Sequence, residues 1–325
     1  MNLSSLRERE LVSSIREEFS TKRRDLILGI GDDAAVVRVS EGLGLLTTDL
    51  LIEGVHFIAS LHPAHYLGRK SLNVNLSDIA AMGGTPRFAL LGLALRKGLG
   101  KAWVRDFFGG LRAAAEEAGV ALVGGDISAA KKIVVSIAIL GEARTFIRRS
   151  GARPGDLIFV SGCLGDAAAG LRLLRKGFRL GKDKRADRLL RAFLDPEPQL
   201  ALGRALSRLK VASSMIDTSD GLSVDLLHLC EESGTGAEID LVRLPLSPAI
   251  RIFEKKPERL ALHGGEDYQL LFSVSPGKLS RVTGLQKRYL IRQVGRITRG
   301  KGVQVVSGRG KRHPLAAKGF EHLLE

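Results

Sequence analysis

Short apolar runs in this chain stop repeatedly at turns built from glycine, serine or threonine with an aspartate among them. Gly29-Ile30-Gly31-Asp32-Asp33 leads into the apolar run 34–39. Thr47-Thr48-Asp49 closes the run 43–48. Gly124-Gly125-Asp126 follows 120–123, and Asp217-Thr218-Ser219-Asp220-Gly221 follows Met215-Ile216. This punctuation predicts many short strands, with the aspartates at strand ends, turns and helix starts. Stretches with helical periodicity lie between them: 3–19, 64–81, 102–118, 166–175, 198–209 and 222–232. Further strands are expected at 88–95, 133–140, 157–161, 237–241, 268–274, 289–295 and 302–306. The polar, basic run 176–188 reads as an exposed loop or helix surface. Strands and helices mix without strict alternation, so the expected class is α+β rather than a doubly wound sheet.

A chain of 325 residues exceeds one ordinary core, which implies two domains. The Gly-, Arg- and Pro-rich segment 148–156 is the natural joint, giving domains 1–147 and 148–325. The formal charge of +15 raises nucleic-acid binding as a rival class. No helix-turn-helix, zinc-finger or RNA-binding signature accompanies the charge, and aromatic residues for base stacking are scarce. A small-molecule enzyme is therefore the expected class. Cys163 and Cys230 lack Cys or His neighbours at metal-ligand spacing, which argues against structural zinc. Two free thiols and the charged start Arg7-Glu8-Arg9-Glu10 lead to an expectation of a cytoplasmic protein without signal peptide or membrane span.

The familiar phosphate motifs are missing: there is no Walker sequence, no complete dinucleotide fingerprint and no protein-kinase set. For each aspartate taken singly, a turn or helix cap explains the residue better than chemistry does. Several carboxylates on one site would repel unless a cation joined them. Mg²⁺ is the hard cation that takes such oxygens together with substrate phosphates. Glycine turns let backbone N–H groups approach phosphate oxygens. Whether the aspartates converge is not contained in composition or periodicity.

The motifs, taken in order, resemble the thiamine-monophosphate kinase family. Gly29–Ala35, Thr47-Thr48-Asp49 with Glu53–Phe57, and Asn73–Gly84 carry the resemblance in the first half. Gly124-Gly125-Asp126, Arg149–Ala152 with Pro154-Gly155-Asp156, Ile216–Leu222 and Gly264–Leu270 carry it onward. Two positions depart from the family's usual pattern: Ile127 stands where Thr is common, and Thr218 where Ile is common.

The resemblance implies the two-domain fold of the aminoimidazole ribonucleotide synthetase superfamily. It also implies a homodimer in which the N-terminal domains pair their sheets into a barrel. Its implied ligands are ATP, several Mg²⁺ ions and thiamine monophosphate. Carried over by motif, Asp33, Thr47, Thr48, Asp49, Asp78, Asp126, Asp217 and Asp220 are the expected metal ligands. Gly125, Asp126, Arg149 and Ser219 are expected at ATP. His56, Glu266 and Phe320 are expected at the acceptor. His228 and Cys230 read as core. The acceptor phosphate needs no general base, so no catalytic side chain is assigned and direct in-line transfer is expected. The alternative within the superfamily is a selenophosphate-synthetase-like or hydrogenase-maturation-like enzyme. The first of these carries a Cys in an early Gly-rich loop and the second a C-terminal Cys. Neither is present here.

Overall fold

The computed structural model describes residues 16–17, 23–40, 42–316 and 318–319. Most of the helix expected at 3–19, and Phe320, lie outside the described residues.

A six-stranded sheet organises the first half. Its strands are β1 (Leu26–Leu28), β2 (Ala35–Val39), β3 (Gly42–Ile52), β4 (Thr85–Arg96), β5 (Ala121–Ala130) and β6 (Val134–Ala143), in the order β1-β2-β3-β6-β4-β5. All neighbours run antiparallel except β4 and β5. Those two are joined by a helical crossover, as a parallel pair requires. Two helices, α1 (Ala64–Ala81) and α2 (Lys101–Ala118), accompany this sheet. α1 lies among both halves of the molecule, which is why apolar and polar residues alike are buried on it.

α1 and α2 cross closely. A Cβ on Gly68 would sit 2.0 Å from the Phe107 carbonyl oxygen, and one on Gly110 would sit 1.8 Å from that of His65. Only glycine permits this approach.

The second half holds a seven-stranded sheet of order β13-β12-β9-β11-β7-β10-β8. Its elements in chain order are β7 (Leu157–Ser161), α3 (Asp166–Arg175), α4 (Lys184–Leu194), α5 (Leu200–Arg208), β8 (Ser214–Asp217), α6 (Leu222–Ser233), β9 (Gly236–Asp240), α7 (Pro248–Phe253), α8 (Pro257–His263), β10 (Leu270–Val274), α9 (Leu279–Gln286), β11 (Ile291–Thr298), β12 (Gly302–Val306) and β13 (Arg312–Pro314). β8 and β10 are buried throughout, as befits strands covered on both faces. One hydrophobic core joins the halves. Leu67, Leu76 and Ile79 of α1 belong to the same cluster as Leu206 of α5, Met215 of β8 and Phe272 of β10.

The architecture is α+β, as expected. Several local expectations are corrected. β3 does not end at Thr48 but runs on through Asp49 to Ile52, because β6 pairs with it along its whole length. β5 does not stop before the glycines. It continues through Gly124-Gly125-Asp126, and a bulge opposite Ala89 and Leu90 absorbs the irregularity. The run 176–188 is, as expected, part loop and part helix surface. Asp183 accepts a hydrogen bond from the Arg185 N–H and starts α4 there.

Candidate active site

Asp33, Asp78 and Asp217 each bring a carboxylate oxygen within 4.8 Å of the others. They arrive from three elements far apart in the chain. Asp33 comes from the turn before β2, Asp78 from the last turn of α1 and Asp217 from the end of β8. α1 supplies most of the scaffolding. Ser77 donates to Asp217 at 2.6 Å, and Thr47 of β3 donates to Asp78 at 2.5 Å. Asn75 accepts from the Asp49 N–H at 2.8 Å. Thr47 and Asp49 pair with Ile139 and Ile137, whose side chains are buried beneath the helices. Both therefore face α1, while Thr48 points to the opposite face of the sheet. A single strand cannot turn three successive side chains to one side. Thr48 donates instead to the Ile137 carbonyl at 3.0 Å.

The cluster is strongly acidic and poorly solvated. Burial, followed by the charges of Asp49, Asp217 and Asp33, lifts Asp78 well above the ordinary carboxyl range. Burial raises Asp49 to about 6. Burial and then the neighbouring Asp33 raise Asp217 to about 8. Arg149 is the local counter-charge, donating to Asp33 Oδ1 at 2.9 Å. Burial works against its charge, but Asp33, Asp32 and Asp217 together hold the guanidinium more firmly protonated than usual.

Asp32 is not part of the three-carboxylate group. Its carboxylate accepts from the Asp33 N–H and, at 3.2 Å, from the Arg149 N–H, so it pins the turn to the segment carrying Arg149. The other oxygen of Asp33 is buried with no hydrogen-bond partner. A buried acceptor left open beside two further carboxylates is a fit for a hard divalent cation.

One cleft joins this cluster to several of the remaining candidates. Arg149, Asp217, Ser219 and Asp220 line it, as do His56, Glu266 and Tyr268. Phe57, Ile58, Leu171 and Phe193 give it an apolar wall. His56 Nδ1 accepts the Ile52 N–H at 3.0 Å, which leaves the proton of the neutral ring on Nε2. The 264–268 loop is pressed against the loop carrying Asp220. The Glu266 N–H donates to the Ser219 carbonyl at 2.7 Å and the Tyr268 N–H to the Thr218 carbonyl at 2.9 Å. Both residues hold left-handed backbone, at φ +68° and +48°. Such strain gathers where a site fixes a loop.

The cleft continues onto the outer face of the first sheet, past Leu46, Thr48, Leu50 and Leu90. Gly125 and Asp126 are not brought to the carboxylate cluster. They lie on β5, an edge strand exposed throughout, and Asp126 pairs with Gly92 on the outer face. Departing from its reading as core, His228 is half-buried and lines the cleft, while Cys230 is buried. Sequence reasoning assigns no role to Ser77, or to the fully buried Lys70. Asn73 and Asn75 belong to the Asn73–Gly84 motif but have no assigned role of their own. The signal for all four was several polar side chains on an otherwise apolar helix.

Comparison with known proteins identifies the family. The family model for the AIR synthase related protein N-terminal domain matches residues 31–143, and that for the C-terminal domain matches 153–308. The thiamine-monophosphate kinase of Aquifex aeolicus is 37% identical over 332 residues, covering 99% of this chain and 100% of that protein. That of Escherichia coli K12 is 40% identical over 275 residues, 82% of each. The solved structure of AaThiL complexed with AMPPCP and TMP superposes with a TM-score of 0.89 at 36% identity, covering 99% of both chains. The chain belongs to the thiamine-monophosphate kinase family.

Proposed function

We propose that the protein transfers the γ-phosphoryl group of ATP to the phosphate of thiamine monophosphate, giving thiamine diphosphate and ADP. The observation carrying this reading is the shared cleft: a buried carboxylate group with Arg149 at one side, and an apolar wall with His56 and Glu266 at the other. The first half suits a metal–polyphosphate complex, and the second suits a flat heterocycle with polar edges.

In this reading Asp33, Thr47, Asp49, Asp78, Asp217 and Asp220 hold Mg²⁺ ions, directly or through water. The all-oxygen donor set suits that metal. When bound, Mg²⁺ neutralises charge on the phosphates in flight. Arg149 and Ser219 hold ATP phosphate oxygens, with the guanidinium anchored by Asp33. His56 and Glu266 orient the acceptor, and Phe320 is the proposed stacking aromatic. The acceptor phosphate is already largely dianionic at neutral pH, so the chain supplies no base. Its work is to align two anions and exclude water. Transfer is direct, and no residue becomes phosphorylated.

Two copies pair through the outer face of the first sheet. Thr48, Gly125 and Asp126 belong to that face or its edge and exercise their metal and ATP roles at the junction. The domains divide at residues 147 and 148, between β6 and β7.

One assay tests the activity. ATP, MgCl₂ and thiamine monophosphate are incubated with the protein, and thiamine diphosphate and ADP are measured. Equimolar formation of both is expected, with none when thiamine replaces the monophosphate. Turnover of thiamine alone, or ADP formed without thiamine diphosphate, would overturn the reading.

A further inference from the structure

Lys70 is an ionisable residue with no exposed surface. It sits in the first half of α1, away from the cluster around Asp78. Its ammonium donates to the Phe193 carbonyl at 3.0 Å and to Glu266 Oε2 at 3.1 Å. It also lies 3.9 Å from the centroid of the Phe193 ring. A buried cation without such partners is costly, and among the described residues only Glu266 supplies the opposite charge. Glu266 itself is 24% exposed and lines the cleft, as does Phe193. Lys70 thus stands behind two wall residues and is screened from the cleft by them. Its contact crosses from the first half of the chain to the second.

The Glu266 backbone is fixed separately. Its N–H is held by Ser219, and a Cβ on the adjoining Gly265 would meet the Ser219 carbonyl oxygen at 2.6 Å. The backbone is therefore set by the loop carrying Asp220, and one oxygen of the side chain by α1. Without Lys70 the carboxylate would be free to rotate about its side-chain bonds.

We propose that Lys70 is a positioning residue for the acceptor: it holds the Glu266 carboxylate and the Phe193 ring in place from behind the cleft wall. The proposal rests on the reading of Glu266 as an acceptor-binding residue. α1 then sets both ends of the reaction, the carboxylate group through Asn75, Ser77 and Asp78 and the acceptor wall through Lys70.

The test is a kinetic cycle on the whole protein with Lys70→Met, Lys70→Gln, Glu266→Gln and the double variant Lys70→Met/Glu266→Gln. ATP and thiamine monophosphate are varied separately, and binding of AMPPCP is measured for each protein. Lys70→Met should raise KM for thiamine monophosphate by about tenfold or more while KM for ATP stays within about twofold. Lys70→Gln, which still donates a hydrogen bond, should recover part of the loss. The double variant should be no worse than the worse single variant, because one residue acts through the other. If Glu266→Gln raises this KM and Lys70→Met does not, the Lys70 proposal alone fails. If Glu266→Gln leaves it unchanged, the acceptor reading of Glu266 fails first. Additive losses overturn the proposal. Parallel rises in both KM values, or loss of AMPPCP binding in both Lys70 variants, also overturn it and assign the residue a merely structural role.

Discussion

Asp217 shows how a residue in a proposed metal-binding role works against stability. Its carboxylate shares a buried space with Asp33 and Asp78, and Ser77 holds it there. With metal removed, the folded state keeps protons on Asp49 and Asp217, whose values rise to about 6 and about 8. The unfolded chain releases those protons near pH 4. The stabilisation they give is therefore full below about pH 4 and is lost as pH climbs through about 6 and then about 8. In EDTA, the wild-type Tm should fall between about pH 4 and about 8, and Asp217→Asn should flatten that fall above about pH 6 and raise Tm at the alkaline end. The same substitution should lower kcat/KM by about a hundredfold, since it weakens a proposed metal ligand. Thermal melts across pH, with and without MgCl₂, check the first part. A variant equally pH-sensitive in EDTA and fully active would count against the carboxylate group as the metal site.

The helix α1 is the element on which the site depends, and its extent was legible. The expected span 64–81 matches the observed Ala64–Ala81, because one periodicity runs from Pro63 to Gly83-Gly84 and the single internal glycine, Gly68, does not interrupt it. Its partners were not legible. Pairing of Lys70 with Glu266, or of Ser77 with Asp217, joins residues over a hundred positions apart, and nothing local in either segment encodes the contact. The same limit hid the course of β3 and β5. Glycine and aspartate read as strand breakers, but hydrogen bonds to β6 and β4 carried the strands past Asp49 and Asp126. Packing of α1 against α2 gives a clean prediction from two adjacent glycines. Gly110→Ala places a methyl against the His65 carbonyl and should cost about 1–3 kcal/mol. Gly109→Ala meets nothing within 4 Å and should stabilise by up to about 1 kcal/mol through helix propensity. Denaturant midpoints of the two variants should therefore move in opposite directions. Movement in the same direction would mean that α1 and α2 do not cross at Gly110.

At the scale of the whole molecule, the described residues cover the first sheet on one side only. Helices lie over the face bearing Leu45, Leu91, Ile137 and Ile139, all buried. The other face carries Leu46 at 44% exposure, Leu50 at 47%, Phe88 at 47%, Leu90 at 51% and Leu140 at 38%. These are neighbours, since Leu46 pairs with Leu140 and Leu140 with Phe88 across β3, β6 and β4. A contiguous apolar face of this kind marks an interaction surface. The exposed edge strand β5 adds unpaired backbone beside it. Thr48 points to the same side, and Asp126 lies there too, so covering the face with a second copy also gives these otherwise isolated residues a setting. The protein should therefore run as a dimer of the 35.0 kDa chain in light scattering. Leu90→Glu places a charge where a second copy would pack in the proposed dimer, which a buried interface does not tolerate unpaired. It should give a folded monomer, with unchanged far-UV circular dichroism and with activity reduced in proportion to the lost dimer. Raising the protein concentration should recover part of that activity by mass action. A wild-type protein that is monomeric and fully active at all concentrations would remove the reason for the exposed face and return Thr48 and Asp126 to purely structural roles.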